Sequence, residues 1–383
     1  MVCLLAAGYA LKWADGQILS AVLPQIQAEF RISDGTLGLL SGLPFAIFYT
    51  VLGVPIARLA DTGHRRSLVA ASLGLFSGFT AVAAAATSVP ALFAARIGVG
   101  LGEAGATPPA QSLIADVVPA GRRGFALAIY GAGLNFGILA GFAVGGIVGG
   151  QFGWRAAFLV CGLPGLLVAV LTRLTIDEPG RFMTPAAPLR DVFAILARRP
   201  GFAHVLAANS LAGLAGFAAL AWLPTFLGRT HGMALRDADL FLGVMSGIVG
   251  LAGVLLTGWL ADLAGSRLPT MLAGLCLVTF PSLAAFYLVP GPALHAWLFI
   301  LPALFGAAFA APSAAIIHSI ASPGTHATAL SLLLFVVNLV GTACGPILTG
   351  FFSDLIGLRA ALALTTLALP WAAWHFSRVR LAG

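Results

Sequence analysis

The sequence predicts an all-α membrane protein with twelve transmembrane helices in two pseudo-symmetric six-helix bundles. Three observations carry that reading. Of 383 residues, 60% are hydrophobic and only 9% charged, whereas a soluble domain is about 25% charged. Apolar stretches of about 20 residues, the length that crosses a bilayer as a helix, recur from end to end. Short motifs of the first half also return, in order, in the second. Helices are favoured over strands because every backbone amide in lipid must be paired within its own segment. The alternating ten-residue pattern of a barrel is not found.

The spans fall near 4–27, 36–58, 67–87, 89–114, 124–149, 154–173, 203–227, 238–261, 269–289, 293–317, 327–352 and 358–376. This divides the chain into an N-terminal bundle (1–173), a cytoplasmic linker (174–202) and a C-terminal bundle (203–383). The linker holds Pro179, Pro185, Pro188 and Pro200. Within it "LRDVFAILARR" puts Leu189, Val192, Phe193 and Leu196 on one helical face, as in an amphipathic surface helix. A partly ordered linker is the alternative.

The net charge of +7 does not point to nucleic acid, because the basic residues gather at the ends of apolar segments. With a cytoplasmic amino terminus, the inner loops collect Arg65, Arg66, Arg122, Arg123, Arg198 and Arg199 among others, and the outer side few. The excess puts both termini inside, and an inner (plasma) membrane is the expected location. Cys3, Cys161, Cys276 and Cys344 are single and far apart, which suits buried thiols rather than a disulfide framework. The start "MVCLLAAGYA" lacks the basic n-region of a signal peptide.

The repeat is explicit. "ARLADTGHRR" (57–66) matches "GWLADLAGSR" (258–267), "GWRAAF" (153–158) matches "GLRAAL" (357–362), and Asn135 and Asn338 are spaced alike. Parallel repeats of six helices are the layout of the major facilitator fold, and over nearly its whole length the chain resembles that superfamily. The first motif is similar to its G-x-L-a-D-x-x-G-R-R signature, with Ala57 and His64 where Gly is usual. The resemblance implies a cytoplasmic gate built from Asp61, Arg65, Arg66, Asp262 and Arg267; topology determination is the simpler role. "DGQILSAVLPQIQAEFRISDGTLGLLSGLPFAIFYTVLGVPIARLAD" (15–61), "RIGVGLGEAGATPPAQSLIAD" (96–116) and "GWRAAFLVCGLPG" (153–165) further resemble the Spinster family. That resemblance implies a lysolipid-like substrate. Family members usually carry Asp-Arg in the first helix, where this chain has Asp15-Gly16. Either Lys12, one turn earlier, replaces the cation, or the headgroup site is altered.

Four charges lie deep inside predicted spans, away from the span ends. Arg96 and Glu103, seven residues apart, share one face of the fourth helix, and Lys12 and Asp15 share one of the first. A charge at the centre of a membrane helix costs roughly 2.5–3.5 kcal/mol on insertion scales, so such residues are usually functional. Aligning "ATPPAQS" (106–112) with "FAAPSAA" (309–315) sets Gly306 and Phe299 opposite Glu103 and Arg96. The second half therefore lacks these charges, which suggests a task the repeated fold does not itself require. We expect Asp15, Glu103 and Arg96 to couple transport to protons, since burial and a nearby cation pull a carboxyl's proton affinity in opposite directions. A fixed structural ion pair is the alternative.

Lys12, Arg96, Glu103, Tyr130 and Asn135 are the expected substrate-binding residues; Asn209 and Asn338 are further cavity candidates. Gly133, Gly137, Gly141, Gly145 and Gly149 form a smooth helix-packing face. Gly345-Pro346 marks a bend in the eleventh helix, and His204 and His318 lie near cytoplasmic ends. There is no HExxH, P-loop or metal-ligand cluster, so neither an enzyme nor a cofactor or metal is expected. The sequence thus reads as a secondary active transporter, proton-coupled and monomeric. Its partners are protons, membrane lipids and a small-molecule or lipid substrate, an amphipathic solute such as an anionic lysolipid. A proton-independent multidrug or metabolite facilitator is the alternative.

Overall fold

The computed structural model describes residues 1–44, 64–178, 199, 201–289, 292–306, 308–320 and 326–381. These are helical with short connections. In chain order the first half gives α1 (Val2–Phe30), α2 (34–44), α3 (Arg65–Ala83), α4 (Val89–Glu103), α5 (Thr107–Val117), α6 (Arg123–Val144) and α7 (Trp154–Thr175). The second gives α8 (Phe202–His231), α9 (Leu235–Leu242), α10 (Gly250–Ala264), α11 (Leu268–Leu288), α12 (Pro292–Phe305) and α13 (Ala310–Ile320). It closes with α14 (His326–Val337), α15 (Gly345–Ile356), α16 (Leu358–Thr366) and α17 (Ala368–Ser377). These helices fall on the twelve expected spans, the second of which is described only at 34–44. Among the described residues, seven helical stretches are long and apolar enough to cross a membrane. The predicted surface helix of the linker, and Asp61, lie outside the described residues.

Two repeats acquire a physical reason. Gly153 and Gly357 of the matching "GWRAAF" and "GLRAAL" motifs both take a left-handed backbone, with φ of 83° and 82°, immediately before the next helix. A side chain at either position would be strained. The fourth and tenth spans are both broken. The fourth, expected to run unbroken over 89–114, ends α4 at Glu103 and restarts as α5 at Thr107. Pro108 and Pro109 lack the N–H that would continue the ladder and suit a first turn. The tenth breaks at the aligned place, between Phe305 and Ala310. The fifth, eighth and eleventh spans each contain a π-helical segment, at Gly145–Gly149, Gly243–Val249 and Asn338–Cys344. Gly345-Pro346 follows the last of these, so the predicted bend is a widened turn.

The chain packs as two compact units, Met1–Thr184 with Leu223–Gly247, and Pro185–Trp222 with Ile248–Gly383. In the first unit α1 lies along α6, and α3 along α7 and α4. The glycine stripe makes the α1–α6 approach possible. A Cβ on Gly133, Gly137 or Gly141 would stand 2.7, 2.2 or 2.6 Å from the carbonyl oxygen of Ala6, Ala10 or Ala14. Small residues thus face small residues every four positions, and the two backbones touch. In the second unit α11 packs on α17 and α12, and Gly345 sits against the Leu214 carbonyl.

Candidate functional site

The fourth helix is shaped to deliver charge into the first unit. Cβ atoms on Gly98 and Gly102 would stand 2.3 Å from the Phe79 ring and 2.4 Å from the Phe76 amide nitrogen, so α4 is pressed onto α3. Arg96 and Glu103 are carried inward with it, 8% and 4% exposed. Each is paired with α1 rather than with the other. Arg96 donates from Nη1 to Asp15 Oδ2 at 2.7 Å, and Asp15 is fully buried. Lys12 Nζ stands 4.0 Å from Glu103 Oε2. The expected polar interior between the first and fourth spans is therefore present, as two crossed pairs.

Thr80 of α3 completes the cluster, and nothing in the sequence singled it out. Its hydroxyl lies 2.5 Å from Asp15 Oδ1 and 2.9 Å from the Phe76 carbonyl oxygen. A hydroxyl carries one proton, so it donates to one of these acceptors at a time. The two acceptors compete for that proton, so Thr80 ties Asp15 to the α3 backbone.

Beside this cluster the ring of Tyr130 stacks on Tyr9 at 4.6 Å, and Tyr9 meets Trp13 edge-on. Tyr9, Lys12 and Tyr130 border a cavity of about 10 Å³, room for a single water. Asn135 is 5% exposed, and its Oδ1 has no hydrogen-bond partner among the described residues; the same holds for Gln17 Oε1. These are spare acceptors on α6 and α1. Asn209 is committed differently: it donates to the Val205 carbonyl and accepts from Ser313 Oγ at 2.7 Å. Asn338 accepts from Thr342 within the π segment.

Of the expected cytoplasmic gate, Arg65 and Arg66 open α3. Arg65 is fully buried, ion-paired with Asp116 of α5, and donates to Ser112 at 2.9 Å. The backbone amides of Arg65 and Arg66 donate to the two carboxylate oxygens of Glu178, at 3.1 and 2.7 Å. Glu178 thereby caps a helix start to which His64 contributes no side-chain bond. Asp116 and Glu178 were missed by the sequence reading, because their partners lie 51 and more than 100 residues away. In the second unit Asp262 and Arg267 are both exposed.

At the far end of α1, Glu29 accepts from Arg155 and from Trp154 Nε1, each at 2.7 Å. These bonds, Arg155 first, hold its carboxyl below the usual carboxylate range. Asp34 accepts from Gln27 and takes both terminal nitrogens of Arg229 at 2.6 and 2.7 Å. In the second unit the Nδ1 atoms of His204 and His375 are 2.8 Å apart. Among the described residues no group of three or more His, Cys, Asp or Glu could hold a metal ion.

Apolar helices of membrane-crossing length, in a repeated architecture with ion pairs buried among them, define an integral membrane transporter. The chain belongs to the Major Facilitator Superfamily, whose family model matches residues 5–301. That is a family of transporters, not enzymes. The chain is 32% identical over 362 residues to an MFS-type efflux pump of Mycolicibacterium smegmatis, covering 92% of this chain and 84% of the relative. It is 31% identical over 290 residues to a chloramphenicol resistance protein of Streptomyces lividans, covering 73% and 71%. Its fold matches, with a TM-score of 0.88 and 27% identity, the crystal structure of a bacterial homolog of the human lysosomal transporter Spinster in an inward-facing conformation. That match covers 98% of this chain and 95% of the other. The expected fold and the Spinster-like resemblance are both borne out.

Proposed function

We propose that this transporter couples protons to the export of an amphipathic organic solute by alternating access. The observation that carries the reading is the pairing of two buried carboxylates, Asp15 and Glu103, each with a cation from another helix. An ion pair inside a membrane protein holds its charge only while its partner stays close. Movement that separates α1 from α4, or a substrate that claims Arg96 or Lys12, frees a carboxylate to take up a proton. Return of the pair releases it. The halves 1–173 and 203–383 move against each other about the linker 174–202 in this account, with substrate held near mid-membrane.

Lys12, Arg96 and Glu103 supply charge for a substrate headgroup; Tyr130 and Asn135 supply an aromatic face and an acceptor. Asp61, Arg65, Arg66, Asp262 and Arg267 form the cytoplasmic gate, with both termini cytoplasmic in a plasma membrane. The carrier works as a monomer. The Spinster-like resemblance implies an anionic lysolipid-like substrate; an efflux pump and a chloramphenicol resistance protein among the relatives favour other organic solutes. Closed ion pairs favour one second reading, a proton-independent multidrug or metabolite facilitator in which the pairs are structural.

The discriminating experiment uses the full chain in proteoliposomes with an imposed pH gradient. A fluorescent lysolipid and ethidium serve as probes at equal concentration on both sides. Coupling predicts net uphill movement of a probe, abolished by a protonophore. No net movement, with exchange of the probe across the membrane still measurable, supports the facilitator.

A further inference from the structure

Asp239, on α9, is fully buried, and neither carboxylate oxygen has a hydrogen-bond partner among the described residues. It is wedged against the π segment that follows α6. A Cβ on Gly146 would stand 2.8 Å from Asp239 Cβ and 3.2 Å from Arg236 Cα. A Cβ on Gly145 would stand 2.3 Å from Ala21 Cβ and 3.7 Å from Asp239 Oδ2. Only glycines leave space for the acid here, and no room is left for water on that side.

Among the described residues, the elements packed most closely on α9 are α6 and Gly145–Gly149. Their titratable residues are Arg123 and Tyr130, roughly 33 and 22 Å from Gly145 at the rise of an α-helix. The first helix meets the same glycines through Ala21 and Val22. Its nearest charged residues, Asp15 and Glu29, are roughly 9 and 12 Å along the axis from Ala21. On α9 itself, Arg236 and Asp237 are exposed. Among the described residues of these elements none places a cation against Asp239, and an uncompensated buried charge is among the costliest features a fold can carry. The adjoining turns, Gly145–Gly149 and Gly243–Val249, are both π-helical, a form that concentrates where helices serve function.

We propose that Asp239 is a proton-binding site of the α6–α9 contact, loaded while residues 235–247 pack on Gly145-Gly146 and unloaded when they separate. The proton comes from bulk water and returns to it. Separation hydrates the carboxylate and lets it ionise; reclosure requires the proton back. This site is distinct from the Asp15–Glu103 cluster and does not depend on the substrate.

Hydrogen–deuterium exchange of the full chain in lipid nanodiscs, over a series of pH values and corrected for chemical exchange, tests this. Exchange in peptides covering 142–150 and 235–247 is expected to quicken as pH rises, by up to about tenfold per pH unit for one linked proton. Asp239→Asn, which imitates the protonated acid, is expected to exchange slowly at every pH. Should the Asn variant fold poorly, Asp239→Ala must likewise lose the pH response. Glu103→Gln must keep it, whatever happens to proton-driven flux, so the two proposals fail separately. A wild-type protein whose two peptides ignore pH, or neutral variants that retain the response, overturns the proposal.

Discussion

Arg96 and Asp15 meet at 2.7 Å across the α1–α4 contact although 81 residues separate them in sequence. Neither has an alternative partner of opposite charge at that distance among the described ion pairs, because Glu103 is given to Lys12. The geometry is one of crossed pairs: each helix contributes one cation and one anion. A displacement of α1 relative to α4 therefore breaks both contacts together.

Removing one member of the buried pair should cost more than removing both. Asp15→Asn and Arg96→Gln each leave a charge uncompensated, with an expected loss of about 3–5 kcal/mol. The double variant should recover a large part of that loss. Thermal unfolding of the four proteins in one detergent checks this, and additive losses would mean that the pair is not coupled.

Packing of α1 on α6 should respond to a single methyl group in a position-specific way. Gly137→Ala drives a Cβ to 2.2 Å from the Ala10 backbone carbonyl, an overpacking expected to cost about 1–3 kcal/mol. Gly131→Ala, exposed and with nothing within 4 Å, should be neutral or stabilising by up to about 1 kcal/mol. Melting temperatures of the two variants moving together would contradict the close contact.

Arg65 should tolerate Lys poorly. A lysine keeps the charge but not the guanidinium that sets Nη1 against both Asp116 and Ser112 while Nε stands 3.6 Å from Glu178 Oε1. We expect Arg65→Lys to cost about 1–2 kcal/mol and Arg65→Gln more. Equal stability of all three proteins would argue that the guanidinium makes no net contribution.

The Glu29–Arg155 contact makes a signed prediction about acid. Its hydrogen bonds lower the carboxyl's folded value, so its stabilisation is present above the unfolded value of about 4.3. That contribution is lost as pH falls through the folded value. Glu29→Gln should therefore narrow the stability difference from wild type under acid conditions and widen it near neutrality. Unfolding midpoints across that range check the sign.

Much of the fold was legible in the sequence because membrane helices announce themselves locally. Span length, the glycine stripe, and the motifs around Gly153 and Gly357 can all be read without knowing a partner. The break between Glu103 and Thr107 was signalled by Pro108-Pro109 but was submerged in an otherwise continuous apolar run. Site residues were found by their cost: a charge in an apolar stretch is conspicuous, so Lys12, Asp15, Arg96 and Glu103 stood out. Pairings were not legible. Sharing a face of α4 left the partners of Arg96 and Glu103 open, and the α1–α4 crossing gives both to α1. Thr80, Asp116 and Glu178 are ordinary residues whose importance comes entirely from what a distant segment brings to them. Asp239 was hidden because an acid near the start of a span looks like an interfacial residue until Gly145-Gly146 encloses it.

The central claim, that Asp15 and Glu103 carry the coupled proton, is tested most directly by pH-gradient-driven flux in proteoliposomes. A fluorescent lysolipid and ethidium again serve as probes, with wild type, Asp15→Asn and Glu103→Gln reconstituted at equal, verified folded amounts. The account predicts that wild type accumulates a probe against its gradient and that each variant loses this accumulation. Wild-type pH dependence in both variants would contradict it.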